Sequence, residues 1–425
     1  MTMKYRRPRG LQDILPDNVA EWRHAEETFR EVCRRFRNEE IRTPIFEDTD
    51  LFVRAVGTDT DIVSKEMYTF QDRSGNSLTL RAEGTAPTVR AYLENNLRGQ
   101  DRERLVKLFY IGPIFRYDRP QAGRYRQHHQ CGLEAIGSEE PAVDAEVVAL
   151  ALSVYRALGI EQVELRLNSV GCPQCRPAIE DALRAYLAPQ MDSLCGLCKD
   201  RFDTNLLRVL DCKNPACQAI VTDEGVAAST TALICEECRH HFDQVQGHLQ
   251  ATGIEYVLDP RLVRGLDYYT KTAFEFKAQG LGAQDSIGGG GRYDGLVEQC
   301  GGPATPGVGI GMGLERILLV REALGVTAPA PARHGVLIVT LGDAAWAEGL
   351  RVATSLRHAG IECDLDYRRR SMKAQLRLAD SEAFERAVII GDDEIAKGVF
   401  AVRDMETSIQ VEVAREGLFS ALTPL

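Results

Sequence analysis

Apolar positions recur at helical spacing over residues 18–37 and again over residues 141–158, and both segments therefore predict α-helices. Strand-like patterns occur in SLTLRAEGT, RLVKLFYIGPIFRYD, EYVLDPRLVRGLDYY and the alternating run from Thr270 to Phe276. EIRTPIFEDTDLFVRAVG predicts a strand that runs into a segment interrupted by Pro44. Because several strands follow one another with few helices between them, the pattern predicts an antiparallel sheet and an α+β fold.

A Pro/Ala-rich stretch, VTAPAPARHG at residues 326–335, separates this region from a different pattern. Beyond it, strand-like and helical segments alternate to the end of the chain, which predicts a small α/β domain over residues 336–425. We therefore expect a first domain over residues 1–325, interrupted by a cysteine-rich, mainly helical insertion over residues 170–250. Residues 326–335 are the predicted linker.

Composition narrows the class of protein. The chain has 425 residues, 44% of them hydrophobic and 27% charged, which is ordinary for a globular protein with more than one core. It contains no apolar run long enough to span a bilayer, and its basic N-terminus is not followed by the apolar stretch of a signal peptide, so we expect a cytoplasmic protein with no membrane partner. A net charge of -11 argues against a general nucleic-acid coat but leaves room for a local basic patch.

Eight of the 12 cysteines are paired in sequence between Cys172 and Cys238. Three pairs have C-x2-C spacing and one has C-x4-C spacing, as zinc knuckles do: Cys172 and Cys175, Cys195 and Cys198, Cys212 and Cys217, Cys235 and Cys238. Four pairs suffice for two closed four-thiolate sites, so one or two structural Zn²⁺ ions are the hypothesis, with the grouping of pairs open. The alternative is a set of buried free thiols without metal.

The segment RGLDYYTKTAFEF opens with Arg264, Asp267, Tyr268 and Tyr269 before its strand-like part. A charge carried toward a core costs several kcal/mol unless it is paired. We therefore expect Arg264 to face either a solvated edge or an anionic ligand, and an ion pair with its own neighbour Asp267 is the simpler alternative.

A second charged segment, FRYDRPQAGRYRQHHQCGLEAIG, follows an apolar strand. Gln130 and Glu134 lie an even number of residues apart in a predicted strand and so project from the same face. The guanidinium groups before them suit bidentate contacts with phosphate, although a solvated basic loop is the alternative; these arginines are Arg116, Arg119, Arg124 and Arg126.

Two glycine-rich segments complete the candidates. GGGGRYDGL allows a ligand or another strand to approach the backbone closely, as a simple hairpin also would. GVGIGMGLERILLV predicts a thin strand followed by a helix that begins near Glu315 and Arg316. Arg316 would then reach toward a flat ligand, whereas close packing of the strand and the helix is the other interpretation.

LRAEGTA, FRYDRPQAGRYRQHHQ, RGLDYYTKTAFEF and GGGGRYDGL together resemble the histidyl-tRNA synthetase family of class II aminoacyl-tRNA synthetases, over nearly the whole chain. The resemblance implies a catalytic antiparallel sheet with flanking helices, a homodimer formed partly through the segment around Pro44, and a C-terminal domain that reads the anticodon. It also implies activation of histidine by ATP with Mg²⁺ and transfer of histidine to its tRNA.

The same resemblance implies roles for individual residues. Arg264 and Arg116 are the expected catalytic residues, and ATP is expected to bind Arg116, Arg264 and Arg316. Histidine is expected to bind Glu83, Thr85, Gln130, Glu134, Tyr268, Tyr269 and Tyr293. The tRNA is expected to contact Arg119, Arg124, Arg368, Arg369, Arg370 and Lys373.

Two features depart from the family pattern: Ala82 replaces a usual proline, and the cysteine pairs are not part of the family's common pattern, which therefore gives them no role. Two other functions remain open. One is a non-catalytic synthetase-like regulatory subunit of a histidine-biosynthesis enzyme, which typically lacks the anticodon-binding domain and has eroded signature segments. The other is a zinc-stabilised RNA-binding module without catalysis.

Overall fold

The computed structural model describes residues 5–58, 60–99, 104–279, 285–329 and 332–422. The chain divides into two compact units, of which the first ends at Ala328 and the second begins at Pro329. Residues 330 and 331 of the predicted linker lie outside the described residues. Among the described residues, no helix has both the length and the apolar character needed to cross a membrane.

The helices of the first unit are α1 Pro16–Arg35, α2 Thr49–Val56, α3 Thr85–Glu94, α4 Pro141–Ala157, α5 Arg176–Leu187, α6 Gly196–Thr204, α7 Pro215–Ile220, α8 Asp223–Ser229, α9 Glu236–Ala251, α10 Leu296–Gln299 and α11 Leu314–Ala323. Its strands are β1 Glu39–Glu40, β2 Phe46–Asp48, β3 Thr69–Gln71, β4 Ser77–Leu80, β5 Val106–Phe115, β6 Gln127–Ile136, β7 Val163–Ser169, β8 Val257–Leu258, β9 Thr270–Ala278, β10 Ser286–Arg292 and β11 Gly307–Gly313.

The main sheet confirms the predicted antiparallel, α+β architecture. Within the described residues its strands lie in the order β1-β5-β6-β11-β10-β9-β7-β8, and only the edge pairs β1·β5 and β7·β8 are parallel. Strands β2, β4 and β3 form a small separate sheet. Alternate residues of the main strands serve different faces, so Leu133 and Ile310 enter the large core formed with α1, α4, α9 and α11. The opposite face meets α2, α3 and α10 and carries the candidate site.

Two segments differ from the predicted strands. EIRTPIFEDTDLFVRAVG forms the short β1 and β2 and then helix α2, because the Asp48 carboxylate caps that helix by accepting the Asp50 N–H at 2.9 Å. Phe52, Ala55 and Val56 lie on one helical face and are buried. EYVLDPRLVRGLDYY forms only the two-residue β8, and residues 259 to 269 form a loop. The side chain of Asn168, in β7, holds this loop by donating to two of its backbone carbonyls.

The insertion between β7 and β8 is helical, as predicted, and contains α5 to α9. Its inner helices surround a small core of their own that includes Leu183, Leu187, Val209 and Cys198. Helix α9 differs from them, because Phe242 and other residues on one of its faces belong to the large core of the main sheet. Helix α9, the last helix of the insertion, is therefore packed into the core of the main sheet.

The second unit confirms the predicted alternation of strands and helices. Its helices are α12 Asp343–His358, α13 Met372–Ser381, α14 Asp392–Lys397 and α15 Leu418–Leu422, and its strands are β12 His334–Thr340, β13 Cys363–Leu365, β14 Phe384–Ile390, β15 Val399–Asp404 and β16 Gln410–Ala414. In the order β13-β12-β14-β15-β16, the first three strands are parallel and the remaining pairs are antiparallel. The unit has its own apolar core.

Candidate active site

A cavity of about 280 Å³ lies against the second face of the main sheet. Residues from distant parts of the chain line it, and they include most of the sequence-predicted site: Glu83, Thr85, Arg116, Arg124, Gln130, Arg264, Tyr268, Tyr269 and Arg316. Its floor is formed by backbone of β10 and β11, where Gly288, Gly289, Gly311 and Gly313 lie. The cavity therefore joins a cationic wall to a flat floor.

The floor glycines are required for space. A Cβ added at Gly309 would collide with the Glu134 carboxylate, one at Gly311 would collide with the Gln130 amide, and one at Gly289 would collide with the Arg264 guanidinium. The pairing of β6 with β11 places Gly309 opposite Glu134, so the glycine pattern and the polar residues of β6 face each other. Gln130 and Glu134 project from the same face, as their spacing predicted.

Glu134 is the most deeply placed acid of the site, with 1% of its surface exposed. Its carboxylate accepts hydrogen bonds from Tyr293 Oη at 2.6 Å, Thr85 Oγ1 at 2.8 Å and Tyr110 Oη at 3.3 Å. Glu134 and Tyr293 therefore lie behind the cavity wall, while Thr85 joins them to the cavity. Burial raises the pKa of the Glu134 carboxyl to about 8, against the opposing effect of the Tyr293 and Thr85 hydrogen bonds.

Glu83 lies at the start of α3. Its carboxylate accepts the backbone N–H groups of Thr85 at 2.6 Å and of Ala86 at 2.7 Å, which are among the donors that a helix N-terminus leaves unpaired. Burial raises the pKa of Glu83, whereas these N–H groups act in the opposite direction. The Tyr268 hydroxyl lies 3.4 Å from the same carboxylate. A buried acid thus faces the cavity from a fixed position.

Backbone carbonyls hold two of the arginines. Arg116 Nε donates to Ala82 O at 2.7 Å, and Arg316 donates to Gly123 O at 3.0 Å and to Ser286 O at 2.7 Å. These contacts orient the two guanidinium groups. Burial and the nearby charge of Arg124 lower the pKa of Arg316, against the opposing effect of the charges of Glu275 and Asp118.

Arg264 differs from the other two arginines. Its Nη1 lies 3.6 Å from Glu275 Oε1, and its guanidinium lies over the Tyr269 ring at 5.7 Å from the ring centre. Its Nε is buried and has no hydrogen-bond partner among the described residues. A buried donor of this kind costs free energy until an acceptor arrives, so the site is built for an anionic ligand.

Several cavity residues were not predicted as site residues: Asp118, Tyr125, His128, Ser286 and Glu315. His128 could have been found, because it shares its strand face with Gln130 and Glu134. Burial, and then the charges of Arg116 and Arg316, lower the pKa of His128 to about 3 and keep its imidazole neutral. Glu315 receives the His129 backbone N–H at 2.8 Å and so fixes the start of β6 to α11.

The residues predicted to contact tRNA lie in two places. Arg124 lines the cavity and binds Asp118 at 2.6 Å, whereas Arg119 is exposed. In the second unit, Arg368 and Lys373 are exposed, while Arg369 pairs with Asp343 and Arg370 with Asp366. The exposed aromatic ring of Tyr367 lies beside this basic segment and was not predicted.

A larger cavity, of about 450 Å³, lies between the start of α5 and residues 267–270. Its charged residues come mainly from α5, with Arg176 and Arg184 opposed by Glu180 and Asp181. Because acidic and basic side chains are mixed in the larger cavity, it is not suited to bind an anion. The smaller cavity is therefore the better candidate for the active site. Tyr268 lines both cavities.

The comparisons with known proteins agree with this geometry. The family described as "Histidyl-tRNA synthetase" matches residues 10–317, and the family described as "Anticodon binding domain" matches residues 335–424. A histidine–tRNA ligase of Desulforamulus reducens is 52% identical over 96% of this chain and 96% of its own length. Its counterpart from Moorella thermoacetica is 54% identical over 96% of this chain and 95% of its own.

The solved structures show the same relationship. The crystal structure of apo S. aureus histidyl-tRNA synthetase matches with a TM-score of 0.80 at 36% identity and covers 98% of this chain and 99% of that chain. The fold is thus that of a class II aminoacyl-tRNA synthetase. The chain belongs to the histidyl-tRNA synthetase family.

Replacing Glu134 by Gln should make the stability of the ligand-free protein less dependent on pH. The folded pKa of about 8 lies above the ordinary value of 4.5, so the stability contributed by this carboxyl is full below pH 4.5 and is lost as the pH rises through about 8. In thermal melts between pH 5 and pH 9, the melting temperature of the variant relative to that of the wild type should therefore rise with pH. The exposed Glu298, replaced by Gln, is the control and should show no such trend; an equal trend in both variants would contradict the assignment.

Replacing Gly311 by Ala should displace the Gln130 amide. The family resemblance predicts that this amide binds the carboxylate of the amino acid, so the KM for that substrate should rise roughly tenfold, the cost of one hydrogen bond to a charged group. Stability should change little, because the atom in the way is the end of a flexible side chain. In the matched variant Gly290→Ala, the new Cβ meets the backbone of Gly309 and Ile310, so that variant should lose stability. Steady-state kinetics and thermal melts measure the two effects, and the reverse assignment of them would refute the packing argument.

Proposed function

We propose that this protein activates histidine with ATP, forming histidyl-adenylate and pyrophosphate, and then transfers histidine to the 3′ end of its cognate tRNA. The observation that supports this most strongly is the meeting of Arg116, Arg264 and Arg316 with the buried acids Glu83 and Glu134 around one cavity. The family membership and the match to an anticodon-binding domain point to the same reaction.

Histidine would bind through its two charged groups first. Glu83 and Thr85 would hold the α-amino group, and the ammonium charge would favour the ionised form of the buried Glu83. Gln130 and Arg264 would hold the carboxylate, and the unpaired Nε of Arg264 is available for it. Tyr268 and Tyr293 would shape the pocket around these contacts.

Selection of the imidazole would depend on Glu134 and Tyr269. The raised pKa leaves Glu134 largely protonated in the ligand-free site at neutral pH, and an imidazole N–H donor would favour its ionised form. That carboxylate accepts about four hydrogen bonds, of which hydroxyl groups of Thr85, Tyr110 and Tyr293 use three, so one place remains for the imidazole N–H. An amino acid without a donor at this position leaves that place empty in a desolvated wall, which is how a site rejects substrates of similar size.

The first chemical step needs little acid or base catalysis. The histidine carboxylate oxygen attacks the α-phosphorus of ATP, the bond to the bridging oxygen breaks, and pyrophosphate leaves with the electron pair. Alignment and neutralisation of charge on the phosphate oxygens therefore dominate. Arg264 and Arg116 would act on the α-phosphate and Arg316 on the rest of the triphosphate, and Mg²⁺ bound with ATP would supply further neutralisation of charge.

In the second step a ribose hydroxyl of the tRNA attacks the carbonyl carbon of the adenylate, and AMP leaves. Arg119 and Arg124 would contact the acceptor end of the tRNA, and the anticodon would meet Arg368, Arg369, Arg370 and Lys373. Tyr367 adds an exposed surface on which a base can stack. We also propose that the protein forms a homodimer partly through the segment around Pro44 and works in the cytoplasm. The zinc predicted for residues 172–238 has no part in these steps, because all of them use side chains outside the cysteine pairs.

The regulatory-subunit alternative predicts that histidine binds without chemistry, and the RNA-binding alternative predicts that neither histidine nor ATP binds. Histidine-dependent exchange of pyrophosphate into ATP separates the proposal from both. The retained arginines and the match to an anticodon-binding domain favour catalysis.

Replacing Arg264 by Ala should reduce histidine-dependent pyrophosphate exchange by roughly a hundredfold or more, because one preorganised donor to the developing charge is lost. Thermal stability should change little. Arg261→Ala, three residues earlier and paired with Asp259, is the matched control and should retain exchange. Near-normal exchange in Arg264→Ala would refute the catalytic role.

A chain ending at Ala328 should still activate histidine but charge tRNA far more slowly. Each unit has its own core, so the first is expected to fold alone once the second is removed. Exchange and tRNA charging measured on the same folded fragment give the comparison. If the fragment charged tRNA as efficiently as the whole chain, the second unit would have no role in tRNA recognition.

A further inference from the structure

We propose that the insertion holds two structural zinc ions, one bound by Cys172, Cys175, Cys235 and Cys238 and the other by Cys195, Cys198, Cys212 and Cys217. Sequence spacing alone left the grouping of the pairs open. The structure brings the eight sulfurs together in these two groups, and in each group all four sulfurs lie within 4.8 Å of one another.

We call the first group, Cys172, Cys175, Cys235 and Cys238, the root site, because it joins the two ends of the insertion. Cys172 and Cys175 precede α5, whereas Cys235 and Cys238 lie at the start of α9. The Sγ atoms of Cys172 and Cys175 are 3.5 Å apart, those of Cys172 and Cys235 are 3.9 Å apart, and those of Cys175 and Cys238 are 3.8 Å apart.

The outer site is the second group, and it lies within the small core of the insertion. Cys198 and Cys217 are fully buried there, and Cys195 and Cys212 are packed against the same core. The Sγ atoms of Cys195 and Cys212 are 3.9 Å apart. The start of α6, the segment before α7 and α7 itself therefore meet at these sulfurs.

These distances fit a metal better than they fit disulfides or unrelated thiols. Four sulfurs bound tetrahedrally at about 2.3 Å from zinc lie roughly 3.8 Å from one another. Disulfide sulfurs lie about 2.05 Å apart, and all of these cysteines are free. Apolar packing does not explain why eight thiols gather as two tetrads, in which neighbouring sulfurs lie 3.5 to 3.9 Å apart and no two lie more than 4.8 Å apart.

Backbone donors supply the hydrogen bonds that thiolate ligands require. The Cys235 N–H points to Cys175 Sγ at 3.1 Å in the root site. In the outer site the Cys195 N–H points to Cys217 Sγ at 3.3 Å, and the Asn214 N–H points to Cys212 Sγ at 3.5 Å. Such contacts orient metal ligands and offset the negative charge of a four-thiolate centre.

Both sites are closed by four protein ligands and have no position for a substrate, so their role is structural. The insertion has a small core, and metal binding adds folding free energy where apolar burial is limited. We commit to zinc rather than iron because cysteine knuckles with this spacing are typical of zinc and the proposed reaction transfers no electrons.

The two sites stabilise different neighbours of the candidate active site. Next to the root site, Val170 N–H donates to Lys271 O at 2.8 Å and Lys271 N–H donates to Gly171 O at 2.7 Å, which fixes the start of β9 just after Tyr269. Near the outer site, Arg201 binds Asp61 at 3.0 Å, and the Arg208 guanidinium packs against Gly265, the residue after Arg264.

Elemental analysis of the full chain, purified without chelator, should give two equivalents of zinc. One equivalent or less, or iron in place of zinc, would overturn the proposal. Replacing the metal by Co²⁺ should also produce the intense absorption of four-thiolate cobalt, a readout independent of enzyme activity.

Thiol alkylation read by mass spectrometry tests the grouping. In Cys175→Ser, zinc should fall to one equivalent, and Cys172, Cys235 and Cys238 should become reactive together while the outer site stays protected. Cys198→Ser should give the converse result. Cys300→Ser, which lies outside both groups, is the control and should retain two equivalents.

The wild-type chain gives the same information where a variant fails to fold. Titration with a chelator should release the thiols in these two sets of four, with the buried Cys33 and Cys131 showing how far burial alone slows alkylation. Release of a mixed set would overturn the grouping. Native protein whose eight thiols all react before chelator is added would overturn the metal sites themselves.

Discussion

The burial of one carboxyl group, that of Glu134, is the constraint on which much of the first unit depends. An acid in the middle of a sheet costs several kcal/mol unless donors reach it, and the donors here come from three separate elements. Thr85 lies at the start of α3, Tyr110 in β5 and Tyr293 in the turn after β10, and each donates its hydroxyl to the Glu134 carboxyl group. The backbone of β11 must also come close, which requires glycine at residue 309. One polar group thus determines how a helix and three strands meet.

Three arginines that line the cavity, Arg116, Arg264 and Arg316, are held in a different way from Glu134. Backbone carbonyls hold Arg116 and Arg316. Arg264 lies over the Tyr269 ring and 3.6 Å from Glu275, yet all three guanidinium groups still line the cavity. Arg292 shows the contrast, since it is fully buried against the equally buried Asp144 and has no surface left for a substrate. The cavity reaches Arg116, Arg264 and Arg316 but not Arg292, so burial separates the arginines that a ligand can contact from the one that serves only the fold.

The sequence predicted the parts of the fold that depend on local pattern. The period of two in β6 placed Gln130 and Glu134 on one face, and the alternating glycines of β11 indicated a close approach. The pattern failed where a cap decided the outcome, as at Asp48, and where a loop is held by buried hydrogen bonds, as at Asn168. Tyr110 was missed because it lies in a strand that reads as almost wholly apolar. The grouping of the cysteines depends on contacts between residues about 60 apart, which spacing cannot encode.

The position of the insertion also has a consequence for the order of folding. β7 pairs with β9 from Val163↔Ala278 to Ser169↔Thr272, so these neighbours in the sheet are separated by roughly a hundred residues of chain. A chain made from its N-terminus exposes the edge of β7 until the whole insertion has left the ribosome. If the insertion becomes compact first, its adjacent ends bring β7 and β9 together and shorten the loop that must close. The insertion would then assist the folding of the main sheet by promoting the pairing of β7 with β9.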